Sequence, residues 1–408
     1  MSHVPSDDEP QPGSTSPLTP EALRASFPAL QEWTWLNAAA SSPLCTPVVE
    51  AMERVVDASR RRGDLDFSRW LAQRDVARAK LARFVGARPE AVAFTPSTSF
   101  GFHVVARCLS ARGITEVLSL EHEFPSTTVP LLHAGLTIRG VRRRPDGSYP
   151  LADVEAALRP TTGAVAVSLV QFNSGFRVDV EGLAALCHAR GLALCLNGAQ
   201  AIGHTPIDVT HWGADFLAMT SHKWLGAGYG TGMLVVAERW REALPMAGWL
   251  SVPPAQLWQA FPGAARTDDA AGFVATGAAT RGDASVLEGG GASWVGWHAL
   301  EAALDLHQRL PPGATLMHVH GLQAHLRAGL RARGFVPTAP DAPDVSSGIC
   351  VVPVAGSADD VVRALVREAK VVTTARGGGV RLSTHVFNTL DDVDRALWAF
   401  DRLGVRPG

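Results

Sequence analysis

Residues 192–236 read LALCLNGAQAIGHTPIDVTHWGADFLAMTSHKWLGAGYGTGMLVV. The first apolar run, Leu192 to Leu196, has the length of a buried strand and turns at once through Asn197-Gly198-Ala199-Gln200. A second run, Asp215 to Met219, ends in Thr220-Ser221-His222-Lys223-Trp224, and a third, Met233 to Val236, follows the glycines 226, 228, 230 and 232. Short, continuously apolar runs suit strands that a parallel sheet buries on both faces. A single lysine at the end of such a strand, beside hydroxyls, a histidine and a glycine cluster, points to an amine kept for chemistry.

Upstream of this stretch, strand and helix patterns alternate. Strands are expected at Ala91–Phe94, Glu116–Leu120, Thr137–Val141 and Ala164–Val170, and helices at Phe100–Leu109, Pro125–His133, Leu151–Leu158 and Leu183–Arg190. Two amphipathic helices, Thr46–Arg62 and Phe67–Phe84, come before them. This alternation predicts an α/β fold, a mostly parallel sheet flanked by helices. Helices at Trp294–Leu310 and Ala314–Arg333 lead into a strand–helix–strand–helix pattern that predicts a smaller α+β domain. The expected organisation is a disordered, Ser- and Pro-rich tail (1–20), a segment belonging to the small domain (21–45), a large domain (46–293), and a linking helix with the rest of the small domain (294–408). Ser251 to Gly291 reads as a long irregular excursion, and Thr373 to Gly378 as a loop. Ligands of such sheets gather at the carboxyl ends of strands. The polar clusters Thr95–Ser99, Glu121–Phe124, Gln171–Ser174, Asn197–Gln200 and Thr220–Lys223 all directly follow strands, which predicts one composite site.

The chain has 408 residues, 46% of them hydrophobic and 19% charged, with a formal net charge of −2. That balance suits a large globular core and gives no electrostatic case for nucleic acid or an anionic membrane. No apolar run approaches the ~18 residues of a membrane span. The five cysteines (Cys45, Cys108, Cys187, Cys195, Cys350) fit no metal or redox spacing, and no other ligand spacing predicts a metal. Their odd number, and the lack of a signal-peptide pattern, favour a reducing compartment, the cytoplasm.

A strand-end lysine with hydroxyls nearby suggests a Schiff base to pyridoxal phosphate (PLP). The phosphate needs hydroxyls and backbone N–H groups, which Thr98, Ser99, Thr220 and His222 can supply. A substrate carboxylate calls for an arginine, whose planar fork matches it. At these positions the sequence resembles the class V aminotransferase group of fold-type I PLP enzymes, which includes cysteine desulfurases, kynureninases and isopenicillin N epimerase-like proteins. Asn197-Gly198-Ala199-Gln200, Ser221-His222-Lys223, Val380-Arg381-Leu382-Ser383 and Phe387-Asn388-Thr389 carry the resemblance, which runs from about Trp35 to the C-terminus. It implies that Lys223 holds the cofactor and shuttles the α-proton, and that Thr98, Ser99, Thr220 and His222 bind phosphate. It implies further that Gln200, with Asn173 nearby, meets the 3-hydroxyl, and that Phe124 covers the ring. Asn197 would lie at the pyridine nitrogen, Arg381 would clamp the α-carboxylate, and Arg376 and Asn37 would border the substrate. A homodimer acting on a small amino acid or amine is also implied.

Three departures qualify the resemblance. Asn197 stands where the family carries aspartate, and an amide cannot neutralise a pyridinium. This predicts weakened carbanion stabilisation, with transamination, lyase chemistry and epimerisation all open. The alternative it raises is a PLP-binding pseudoenzyme. No cysteine occupies Thr373–Gly378, where desulfurases place their nucleophile, which argues against an ordinary cysteine desulfurase. Finally, Gly291 lacks the hydroxyl that relatives present to the neighbouring subunit's phosphate.

Overall fold

The computed structural model describes residues 18–242, 244–253, 280–290, 293–311 and 313–408. Gly291 and most of the 251–291 excursion lie outside the described residues. The strands in chain order are β1 (Thr34–Trp35), β2 (Val92–Thr95), β3 (Glu116–Leu120), β4 (Thr137–Val141), β5 (Thr162–Ser168), β6 (Ala193–Asn197), β7 (Phe216–Thr220), β8 (Gly232–Val236), β9 (Ile349–Pro353), β10 (Val371–Val372), β11 (Thr374–Arg376) and β12 (Gly379–Ser383). Seven of them form one sheet in the order β2-β8-β7-β6-β5-β3-β4. All run the same way except β8, which is antiparallel to both of its neighbours.

The central strands are apolar throughout because the sheet has a core on each face. Val165, Val167, Leu194, Leu196, Leu217 and Met219 pack into one cluster, and Ala164, Ala166, Ala193, Cys195, Phe216 and Ala218 into the other. The period-2 direction of strand side chains produces this split. Strands β2, β5, β6 and β7 end on the polar residues Thr95, Ser168, Asn197 and Thr220, and these ends share one edge. Ser168 pairs with Asn197 across β5 and β6, and Gly232 pairs with both Thr220 and Thr95. The loops after β2, β3, β5, β6 and β7 therefore open onto one surface.

A second sheet, β11-β12-β9, is antiparallel. Val380 and Leu382 of β12 face its own core, with Leu326, Leu330, Val393 and Phe400. Arg381 and Ser383, alternating with them, face away from it. The chain's beginning is stitched to this unit: β1 pairs in parallel with β10, and Ser383 N donates to Leu36 O at 2.8 Å.

Three expectations need correction. Leu18 is buried and its N–H donates to Arg309 O at 2.9 Å, and Pro20 opens a helix, so Leu18 to Pro20 are ordered, unlike the expected tail (1–20). Thr373 to Gly378 is not a loop: Thr374–Arg376 is a strand, joined to β12 by Gly377 and Gly378, both at positive φ (60° and 79°). Strand ends shift by a residue or two because Thr95, Asn197 and Thr220 pair within the sheet despite their polarity.

One buried ion pair fixes the sheet's edge. Glu288 accepts from Arg78 at 2.5 and 2.8 Å and from the Phe94 N–H of edge strand β2 at 2.7 Å, with Arg74 at 3.4 Å. Removing one partner of such a pair strands the others in the interior. Glu288→Ala should lose about 3–5 kcal/mol, read as a lowered urea midpoint, and an unchanged midpoint would count against this role.

Candidate active site

Lys223 lies just past β7 with 9% of its surface exposed. Among the described residues no carboxylate pairs with its amine. Burial lowers its pKa to about 7, aided by the charges of Arg381 and Arg376. Its Nζ sits 5.2 Å from the centre of the Phe124 ring. Phe124 is half-exposed, caps the helix Pro125–His133, and packs edge-on against Phe172 at 5.0 Å. Its loop is held from behind by Glu123, a buried carboxylate that accepts from Ser168 N (2.7 Å), Ser168 Oγ (2.6 Å) and Gln171 Nε2 (2.6 Å). Burial raises the Glu123 pKa despite these donors. The backbone before it turns through a left-handed conformation at His122 (φ 64°), uncommon outside glycine.

The register Thr95–Gly232–Thr220 brings the start of the helix Thr98–Ala111 beside Thr220 and His222. Thr98 Oγ1 is buried there without a hydrogen-bond partner. An orphaned hydroxyl at a helix N-terminus of this length favours an anion. Thr220 Oγ1 lies 2.8 Å from His222 Nδ1, and the His222 ring stacks on Tyr229 at 4.2 Å. Burial, then the Lys223 charge, lowers the His222 pKa to about 4, so this ring meets an anion as a neutral donor. Ser99 is half-buried in the helix's first turn.

Asn197 ends β6 and is buried. Ala199 N donates to its Oδ1 at 2.9 Å, which fixes the oxygen end of the amide. The Nδ2 end therefore faces Thr127 Oγ1 at 2.8 Å and Ser126 Oγ at 3.4 Å. Gln200 is engaged at both ends: Nε2 donates to Ala39 O at 2.8 Å, and Oε1 accepts from Trp224 Nε1 at 2.9 Å. Trp224 is fully buried next to the lysine, and its carbonyl lies 2.8 Å from His385 Nε2.

Arg381 is 2% exposed, donates from Nη1 to Phe172 O at 3.0 Å, and leaves its buried Nε without a partner. Burial, then Arg376, lowers its pKa to about 9. Beside it Asn173 Oδ1 is also buried and unpartnered. Arg376 is exposed and donates to Ala375 O at 2.9 Å. Asn37 Oδ1 accepts from Thr374 Oγ1 at 2.6 Å, tying the N-terminal loop to β11.

The fold thus brings the expected residues onto one edge, except that Ser99 makes no contact that assigns it a part and Gln200 is already committed. Trp224, Thr127, Ser126 and Tyr229 were missed, whereas Glu123 and Phe172 fell inside the predicted clusters without being assigned a part. Glu121-His122-Glu123-Phe124 and Ser126-Thr127 carried a signal, as polar residues directly after β3, whereas Trp224 reads as ordinary core.

An amine that loses its proton near pH 7, an orphaned hydroxyl at a helix start, an aromatic cover and a buried arginine without an acid fit PLP and a ligand carboxylate. The architecture is that of a fold-type I PLP-dependent enzyme. The chain belongs to the family described as aminotransferase class-V, which residues 34–396 match, and PLP is that family's cofactor. It is 27% identical over 379 residues to an uncharacterized aminotransferase, YcbU, of Bacillus subtilis, covering 93% of this chain and 96% of that one. It is 29% identical over 397 residues to isopenicillin N epimerase of Amycolatopsis lactamdurans, covering 91% and 95%. The apo structure of a cysteine desulfurase from Thermococcus onnurineus superimposes with a TM-score of 0.82 at 23% identity, over 95% of this chain and 98% of that one.

The lowered lysine pKa makes a kinetic prediction. Only the neutral amine attacks the PLP aldehyde, and that form dominates above about pH 7. The rate of PLP uptake by cofactor-free protein should rise through pH 7 and level off above it, measured by stopped-flow absorbance. A rise that continues to pH 10 would mean an ordinary, solvated lysine.

Proposed function

We propose that this enzyme acts at Cα of a small amino acid or amine, as an aminotransferase, a C–S or C–C lyase, or an epimerase. The observation that carries the reading is the Lys223 amine, buried beside two arginines without a carboxylate partner and losing its proton near pH 7. Bound PLP supplies the electron sink for the bond broken at Cα. Lys223 holds the cofactor by its Nζ and, once released, carries the α-proton. Thr98, Ser99, Thr220 and His222 hold the phosphate. Phe124 covers one ring face and excludes water from it. Asn197 would face the ring nitrogen with an amide, and Gln200, with Asn173 nearby, would serve the 3-oxygen through the second N–H of its Nε2. Arg381 fixes the α-carboxylate, so that the bond to be broken keeps one orientation. Arg376 and Asn37 border the substrate.

Ordinary cysteine desulfurase chemistry is disfavoured. All five cysteines are buried, and burial raises the Cys350 pKa away from the thiolate that a nucleophile requires. The hairpin Thr374–Ser383 carries no cysteine. The intact Lys223 and Arg381 speak against a pseudoenzyme, the alternative that Asn197 raised. Five unpaired thiols support a reducing, cytoplasmic setting, and among the described residues no helix is long and apolar enough to cross a membrane. Family membership supports a homodimer.

The test is the visible spectrum of purified protein with PLP, before and after a panel of amino acids, with products identified. A cofactor band that one substrate shifts or bleaches, and that Lys223→Ala lacks, is expected. A protein that takes up no PLP ends the reading. Asn197→Asp is nearly isosteric, and its oxygens can accept from Ala199 N and Thr127 Oγ1. It should fold normally while shifting the cofactor band and changing turnover at least about tenfold, since one pKa unit of altered ring protonation corresponds to about 1.4 kcal/mol. An unchanged band and rate would sink the electronic role of Asn197.

A further inference from the structure

Two arginines act on the lysine, one buried and one exposed, and a simple α-amino acid offers a carboxylate to only one of them. Lys223, Arg381 and Arg376 act on one another electrostatically, and among the described residues none of them has a carboxylate partner. Asn197 removes the one further acid that this strand end could have offered. The α-carboxylate answers Arg381, and the amine of Lys223 loses its charge on binding the cofactor. Arg376 is left over.

Its place is set by the hairpin. Thr374 lies opposite Arg381 and Arg376 opposite Gly379. Directly opposite residues of an antiparallel pair share a face, as do residues two apart on one strand. Thr374, Arg376 and Arg381 are therefore on one face, while Val380 and Leu382 fill the core behind. Diagonal neighbours of this kind stand roughly 7–8 Å apart at the backbone, a gap two guanidinium groups can close onto the ends of a short dicarboxylate. The hairpin is also seated. Thr374 is tied to Asn37 at 2.6 Å, and a Cβ on Gly377 would stand 2.4 Å from Asn173 O, so the tip rests on the loop that supplies Arg381 with its carbonyl partner.

We propose that Arg376 is a specificity-determining residue that receives a second anionic group, and that the substrate class is the acidic α-amino acids, those with a side-chain carboxylate. This rests on the PLP reading above and deepens it.

The test uses the PLP-loaded protein and probes that lack an α-hydrogen, so that binding is read without turnover. α-Methylaspartate and α-methylglutamate are compared with their side-chain amides by titrating the cofactor absorbance. A charge-assisted hydrogen bond predicts that the tighter acid binds about 10- to 100-fold better than its amide. In Arg376→Gln that ratio should fall to about threefold or less, while the amides bind as before. Arg376→Lys should restore part of it. Arg381→Gln should weaken acid and amide alike. Acid and amide binding equally to the unmodified protein, or a ratio that survives Arg376→Gln, would overturn the proposal. A protein that shows no cofactor band, with no borohydride-fixed label on Lys223, would overturn the PLP reading and this inference together. A normal band that responds equally to acid and amide would overturn this inference alone.

Discussion

An amine and a guanidinium group buried side by side without an acid is an arrangement that proteins ordinarily avoid, because a desolvated charge is costly unless paired. Here Lys223 gives up its proton near pH 7, whereas Arg381 keeps its charge and leans on the Phe172 carbonyl. The rest of the molecule makes this tolerable. The sheet is packed on both faces, and the small unit has a core of its own. These set the two cations at the junction of a strand end and a hairpin, where neither can swing out to water. The residual positive field is then available to an incoming anion, with no reorganisation required on binding.

The precision of that junction comes from Trp224. Its indole N–H holds Gln200, its carbonyl meets His385, and its ring stacks on His204 at 3.9 Å. A Cβ on Gly348 would stand 2.8 Å from the ring, so β9 begins hard against it. Burial keeps His204 and His385 uncharged, with His385 lowered to about 3. The neighbour of the lysine is thus clamped by the loop after β6, by the segment following Arg381, and by the entrance to β9. Gln200 is consequently held with its oxygen turned to Trp224. Its Nε2 donates one N–H to Ala39 O and keeps a second for a ligand.

Much of this could be read in the chain. Apolar runs followed at once by polar clusters located β2, β3, β5, β6 and β7 and their shared edge, because a doubly buried parallel strand has no other way to be written. Lys223, Asn197 and Arg381 stood out because a charge or an amide at the end of such a run has no structural excuse. What escaped was settled by tertiary contact. β1 and β10 are two residues each, too short for any periodicity. Thr374–Arg376 looked like a loop because three glycines follow it, although two of those form the turn that makes it a strand. The second ends of Gln200 and Asn197 depend on Ala39 and Thr127, partners separated by 161 and 70 residues.

Asn197 is better understood with the charges in view. Its oxygen accepts from Ala199 N–H and its Nδ2 donates to Thr127 and Ser126, so a ring nitrogen would receive an N–H in place of one of these hydroxyls. A donor there favours an unprotonated ring nitrogen in the proposed chemistry. The neighbouring cations, which pair with no carboxylate among the described residues, would favour the same state, since a pyridinium would add a positive charge beside Arg381 and Arg376. An aspartate at this position would restore one negative charge and oppose that field. On the proposed reading the asparagine and the unpaired arginines act in the same electrostatic direction. In the proposed chemistry a ring left neutral withdraws electrons less strongly, so less of the stabilisation at Cα would come from the ring nitrogen.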